Sequence, residues 1–143
     1  MKAETDPVTE DEWLIRIVHF DKFTGRVPPV SPNAFEPRVK GEHADTTGLS
    51  LFREACLRTP EQALDVIAPD KRTLKGLVRV PMTLLLDLRL TARPEPIELV
   101  PGHVVIPELN SADYAANKAG FVTPKLRLAE VASENVVFRP SSS

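Results

Sequence analysis

A chain of 143 residues, 42% apolar and 27% charged, has the size and composition of one globular domain that can bury a core without disulfides or metal. The net charge of −2 points neither to a polyanion binder nor to an acidic tail protein, and a disordered chain would carry a larger charge imbalance. The single cysteine, Cys56, allows no disulfide within the chain and no cysteine-built zinc site, which favours a reducing compartment.

The N-terminus, Met1 to Glu12, is acidic (Glu4, Asp6, Glu10, Asp11, Glu12) and lacks the apolar core of a signal peptide. Residues 1–11 read as a disordered acidic lead-in to one domain over 12–140, with 141–143 as a tail. The run WLIRIVHF at 13–20 is rich in aromatic and β-branched residues and reads as the first strand. Arg16 interrupts it, and the apolar residues around Arg16 imply a strand covered on most of both faces. Residues 21–48 contain Pro28, Pro29, Pro32 and Pro37 and show no periodicity; a connection this long is uncommon in a compact domain. Its Phe23, Val27, Val30 and Phe35 suggest that it lies against the body. Gly48 introduces LSLFREACL at 49–57, alternating like a strand in its first half and equally able to form a helical turn in its second.

Thr59-Pro60-Glu61-Gln62 is a helix start, with Thr as N-cap, Pro at the first position and Gln completing a capping box. Ala63, Leu64 and Ile67 then share a face, and Pro69 ends the helix. A strand is expected at 76–80, a short helix at 81–86, and a returning strand at 88–92 that Pro94 and Pro96 break. The turn Pro101-Gly102 leads into an apolar β run at 104–106, closed by Pro107. A helix capped by Ser111 runs over 111–119 to Gly120, Thr123-Pro124 opens another to about Ser133, and 136–138 forms an edge strand. The most apolar stretch, 78–90, is interrupted by Arg79, Pro81, Asp87 and Arg89 and is too short and charged to span a bilayer, so the expected location is the cytoplasm. The 14 prolines against 6 glycines are spread as punctuation between short elements. Without a βαβ rhythm, the expected fold is α+β: a small mixed or antiparallel sheet with short helices and long Pro-rich connections.

No GxGxxG, Walker A, GxSxG or HExxH pattern occurs, and Ser50 lacks the second glycine of a nucleophile elbow. His103, at a strand mouth after Gly102, is the first candidate for a general acid or base. In that role Asp45 or Glu108 would orient it, and Arg53 or Arg79 would hold an anion. The plainer alternative, which weighs more, has His103 bonding a backbone carbonyl and fixing the turn. Glu42, His43 and Asp45 offer metal-ligand chemistry without a recognised spacing, so a solvated loop is expected, with no metal and no cofactor. Cys56, between Arg53 and Arg58, reads as a core residue. Between 71 and 93 six basic residues (Lys71, Arg72, Lys75, Arg79, Arg89, Arg93) face one acid, Asp87. That patch suits phosphates, an acidic partner or the chain's own N-terminus, but it contains no aromatic residue to stack a base, so nucleic acid is disfavoured.

The order Ala34-Phe35-x-Pro37, Asp45-x-x-Gly48-Leu49-Ser50-Leu51-Phe52-Arg53 and Pro101-Gly102-His103-Val104-Val105-Ile106-Pro107 resembles small bacterial proteins of unknown function, over about residues 13–132. The resemblance implies no activity. It implies that Phe35, Asp45, Gly48, Leu49, Ser50 and His103 belong to one structural constellation. The leading expectation is a non-enzymatic interaction or accessory module of a bacterial system, whose partner is another protein and whose Pro-rich loop, with Phe35, contributes to the contact. The alternatives are a small hydrolase or transferase on a nucleotide-like substrate, using His103, and a basic-patch nucleic-acid binder.

Overall fold

In a computed structural model, residues 3–25, 29–41 and 44–140 are described; Val27 and the Glu42–His43 pair of the metal reading lie outside them. The strands are β1 (Trp13–His19), β2 (Leu49–Arg53), β3 (Lys75–Pro81), β4 (Arg93–Pro94), β5 (His103–Ile106) and β6 (Val136–Phe138). They form one sheet of order β4-β5-β2-β1-β3-β6, with every neighbouring pair antiparallel. Helices α1 (Met82–Asp87), α2 (Ser111–Ala116) and α3 (Val122–Ser133), with several 3-10 turns, complete an α+β fold. No helix among the described residues is long and apolar enough to cross a membrane.

The alternation of side chains along each strand divides the apolar residues between two faces. Leu14 and Val18 join Leu49, Leu51, Val78, Val80, Val104 and Ile106 in the main core, beneath Leu128, Ala129 and Ala132 of α3. Ile15, Phe52 and Leu77 face the other way, against Leu57, Ala63, Leu64 and Val100. Both faces of β1 are therefore covered, as its near-continuous apolar run implies.

The pairing within this sheet is uneven. β1 pairs with β3 along all seven residues, and β2 with β5 from Leu49↔Ile106 to Phe52↔His103. Between β1 and β2, among the described residues, the ladder has two pairs, Leu14↔Arg53 and Ile15↔Phe52. Continued, that register would set Ile17 against Ser50; instead the strands fork. The Arg16 guanidinium crosses the fork, Nη1 donating to the Ser50 carbonyl (2.9 Å) and Nε to the Ala34 carbonyl (3.0 Å).

Several local expectations give way to tertiary contacts. The strand expected at 88–92 does not form: α1 closes with Leu90 N–H on the Leu85 carbonyl and Arg89 at φ 61°, the left-handed turn more often taken by glycine. Only Arg93–Pro94 then pairs with β5. Residues Pro60–Val66 form a 3-10 helix, in which Thr59 makes no side-chain cap and Gln62 Oε1 accepts from Arg58 N–H (2.8 Å), one residue before the expected box. Pro69 starts a further 3-10 helix, Pro69–Leu74, as well as ending this one. The cap of α2 is Asn110, accepting from Asp113 N–H, while Ser111 is buried within the first turn. Phe35, expected in a contact surface, is fully buried in the main core.

The acidic N-terminal segment, expected to hang free, is held by Arg53. That side chain is fully buried at the end of β2, and it forks onto Glu12 through Nε–Oε1 and Nη2–Oε2 bonds of 2.8 Å each. Its Nη1 donates to the Asp6 carbonyl (2.6 Å) and more weakly to that of Glu4 (3.2 Å), and Nη2 reaches the Pro7 carbonyl (3.3 Å). The Glu12 carboxylate holds the guanidinium above its usual pKa, outweighing burial. An arginine without water needs all these acceptors, because an uncompensated buried charge is strongly destabilising. Glu12→Ala is therefore expected to lower unfolding stability by about 3–5 kcal/mol in a urea titration. A conservative loss below about 1 kcal/mol, the scale of an exposed pair, would show that the clamp does not hold the fold together.

Candidate functional site

The fork between β1 and β2 opens two cavities, and Arg16 and Ile17 line both. The smaller lies over β2 and β5. Because Phe52 pairs with His103 and Ser50 with Val105, Ser50 and His103 are diagonal neighbours on one face of the sheet. His103 Nδ1 sits 2.7 Å from the Glu95 carbonyl and Nε2 3.0 Å from Ser50 Oγ. A carbonyl only accepts, so the neutral ring carries its hydrogen on Nδ1 and turns the Nε2 lone pair to the Ser50 hydroxyl. The ring also packs against Phe52, with centroids 5.3 Å apart. Ile17, Phe52, Val66 and Ile97 make the other walls of a cavity of about 190 Å³.

Two glycines allow this register. Gly102 (φ 86°) turns the chain into β5 where a Cβ would lie 2.7 Å from Cys56 Cβ. Gly48 (φ 136°) enters β2 where a Cβ would strike the Ile106 carbonyl. Both need the positive φ that glycine tolerates.

The residues proposed to assist His103 are engaged elsewhere. Asp45 Oδ2 accepts from the Arg38 backbone N–H (2.6 Å). Glu108 accepts from the Thr91 N–H (2.8 Å) and hydroxyl (2.7 Å). Arg53 is committed to the N-terminal segment. Arg79 donates to Glu54 Oε1 (3.0 Å) and stacks 3.9 Å above the Trp13 ring. The backbone carbonyl of Glu95, outside the Pro101-Gly102 turn, is what orients the imidazole. The Ser50 hydroxyl on its other nitrogen went unread, because a diagonal cross-strand pair has no signature before the register is known.

The larger cavity, about 980 Å³, widens where the fork meets the loop before β2. Six cationic side chains line it, Arg16, Lys22, Arg38, Lys40, Lys75 and Lys118, against the carboxylates of Glu36 and Asp45. Glu36 already accepts from the Tyr114 hydroxyl (2.8 Å) and lies 4.0 Å from Lys125 Nζ. Arg38, Lys40 and Lys75 have no carboxylate within ion-pair distance among the described residues. Burial, then the charges of Arg38 and Arg16, push the Lys75 ammonium below its usual pKa, against the pull of Asp21. Burial also lowers Arg16 to about 10, with Asp45 opposing and Arg38 adding to the fall. Arg16, Arg38 and Lys75 thus repel one another, and among the described residues only Lys22 of the six reaches a carboxylate within ion-pair distance, Asp21 at 3.8 Å.

This charge is not the basic run of 71–93. Only Lys75 of that run enters the cleft; Arg72 Nε donates to the Ile67 carbonyl (2.8 Å), Arg79 is held by Glu54, and Arg93 approaches Glu95 at 3.8 Å. The cleft draws its cations from β1, the loop after it, β3 and the turn after α2. Arg16 in its apolar strand was the one member with a visible sequence signal. Among the described residues no group of three or more His, Cys, Asp or Glu side chains gathers to hold a metal.

Comparison with protein-family models, curated proteins and solved structures finds no match to this chain.

Cys56 lies outside both cavities, buried behind Gly102. Burial raises its thiol pKa, with Glu12, Glu4 and Asp6 adding to the rise and Arg53 opposing it. The thiolate is the reactive form, so iodoacetamide at neutral pH is expected to alkylate the native protein at least about tenfold more slowly than the urea-unfolded chain, read by intact mass. Equal rates would place Cys56 in an open, activated environment.

Proposed function

We propose that the protein is an interaction module whose cationic cleft receives an extended acidic segment of a partner protein. The observation that carries this reading is the set of six cations against two engaged carboxylates around one cleft, in a chain whose net charge is −2. Complementary charge steers association and sets specificity, and an acidic segment supplies the ion-pair partner that Arg38, Lys40 and Lys75 lack among the described residues.

The composition of the lining favours carboxylates over a nucleotide or RNA. Tyr114 is its one aromatic residue other than His19 and is 5% exposed, with its hydroxyl on Glu36, so no phenol face is open for base stacking. No glycine lines the cleft to bring backbone N–H groups close around a phosphate. Four of the six cations are lysines, point charges on flexible stems, and Arg16 already spends two nitrogens on carbonyls. Ile17, Val39 and Ile67 add apolar contact for the side chains of an extended peptide. A soluble partner in the cytoplasm fits this mode of recognition.

The test is fluorescence anisotropy with a labelled ten-residue oligo-glutamate peptide, alongside ATP and single-stranded RNA, at low and high salt. The peptide is expected to bind in a salt-dependent manner. Arg38→Glu with Lys75→Glu should weaken it by about tenfold or more, the scale of two contacts worth about 0.5–1 kcal/mol each. Binding should fall as pH rises toward the Lys75 pKa, which lies below the ordinary 10.5. The sign follows from charge: the ammonium binds the anion, and deprotonation removes it. Tighter retention of RNA or ATP, or indifference to both charge reversals, would overturn the proposal.

A further inference from the structure

We propose that Ser50 is an activated nucleophile with His103 as its general base, and that the small cavity beside them admits the acyl group of a short-chain ester. This rests on the Ser50–His103 geometry alone and does not depend on the acidic-segment reading of the neighbouring cleft.

A nucleophilic serine needs a base within hydrogen-bond reach, and the base needs a third group that fixes its tautomer and plane. Both are present. The 3.0 Å Ser50 Oγ–Nε2 bond lies within the working range, and the 2.7 Å bond from Nδ1–H to the Glu95 carbonyl leaves the basic lone pair on the serine side. His103 is 7% exposed, and the strand pairing of β5 with β2 and the Phe52 ring hold it in place. Ser50 is only half-buried and lines the cavity. The walls Ile17, Phe52, Val66 and Ile97 are apolar, and about 190 Å³ suits an acyl group of a few carbons rather than a long chain. Arg16 is the one cation lining this cavity, and its Nη1 donates to the Ser50 backbone carbonyl, which fixes the strand that carries the serine.

In the first half-reaction Ser50 Oγ bonds to the ester carbonyl carbon while its proton passes to His103 Nε2. The tetrahedral adduct then breaks its bond to the alkoxide, which takes that proton and leaves as the alcohol. In the second, water adds to the acyl-Ser50 carbonyl and gives its proton to Nε2. The acyl–Oγ bond breaks, Oγ recovers the proton, and the acid departs. Water is the only co-reactant.

A fluorophosphonate probe on the full-length protein tests this, with the adduct located by peptide mass spectrometry. Labelling is expected at Ser50, abolished in Ser50→Ala, reduced at least tenfold in His103→Gln, and protected by phenyl acetate more than by phenyl octanoate. Circular dichroism checks that both variants fold. Should either fail, Ser50→Cys supplies a second reading: the thiol is expected to react with iodoacetamide faster than Cys56 in the same molecule. A serine that only satisfies a histidine is not phosphonylated, so absence of an adduct at Ser50 in the folded protein would overturn the proposal, as would labelling unaffected by His103→Gln.

Discussion

The arrangement of this protein depends on one cation placed where two strands part. Backbone pairing between β1 and β2 stops after Ile15↔Phe52, and from there the Arg16 guanidinium stands in for the ladder, donating to the Ser50 and Ala34 carbonyls. An opened sheet seam leaves carbonyls without partners, and buried backbone acceptors without partners are costly. A long side chain with several donors bridges a gap that the backbone cannot close without losing the cavities on either side. The same guanidinium ties the loop that carries Ala34 and Phe35 to the sheet and forms a common wall of both cavities.

Arg53 solves a different problem by similar means. It is a buried arginine one residue beyond the apolar part of β2, and its acceptors come from the chain's first dozen residues. The N-terminal acids therefore serve the fold instead of forming a free charged tail. Glu4 also accepts from the Gly102 N–H (3.2 Å), so the same segment reaches the turn that precedes His103. Segment, turn and β2 make one connected unit behind the small cavity, which explains how a histidine at a strand mouth, normally a mobile place, keeps a fixed plane.

The two cavities differ in chemistry. The larger is open and polar, and its Arg16 and Lys75 are pushed toward deprotonation by burial and by neighbouring cations, the condition that a bound anion relieves. The smaller is nearly apolar apart from Ser50, His103 and Arg16, and its polar groups are already paired. A large charged cleft suits recognition of an extended ligand, while a small apolar one with an oriented imidazole suits a small group held for reaction.

Much of the local order was legible in the residues themselves. The run at 13–20, the Gly48 entry to β2, the Gly102 turn into β5 and the span of α3 all follow from side-chain branching, alternation and the conformational range of glycine and proline, which act within a few residues. Where such signals met a long-range demand, they lost: Thr59 did not cap its helix, and the 88–92 strand gave way to a helix-terminating turn. The pairing of Ser50 with His103, the capture of the N-terminal segment by Arg53 and the convergence of Arg16, Arg38 and Lys75 were decided only by the tertiary structure. Each joins residues dozens of positions apart through strand order and register. Register is set by the burial of whole faces against one another, a property of the assembled sheet that no single segment carries.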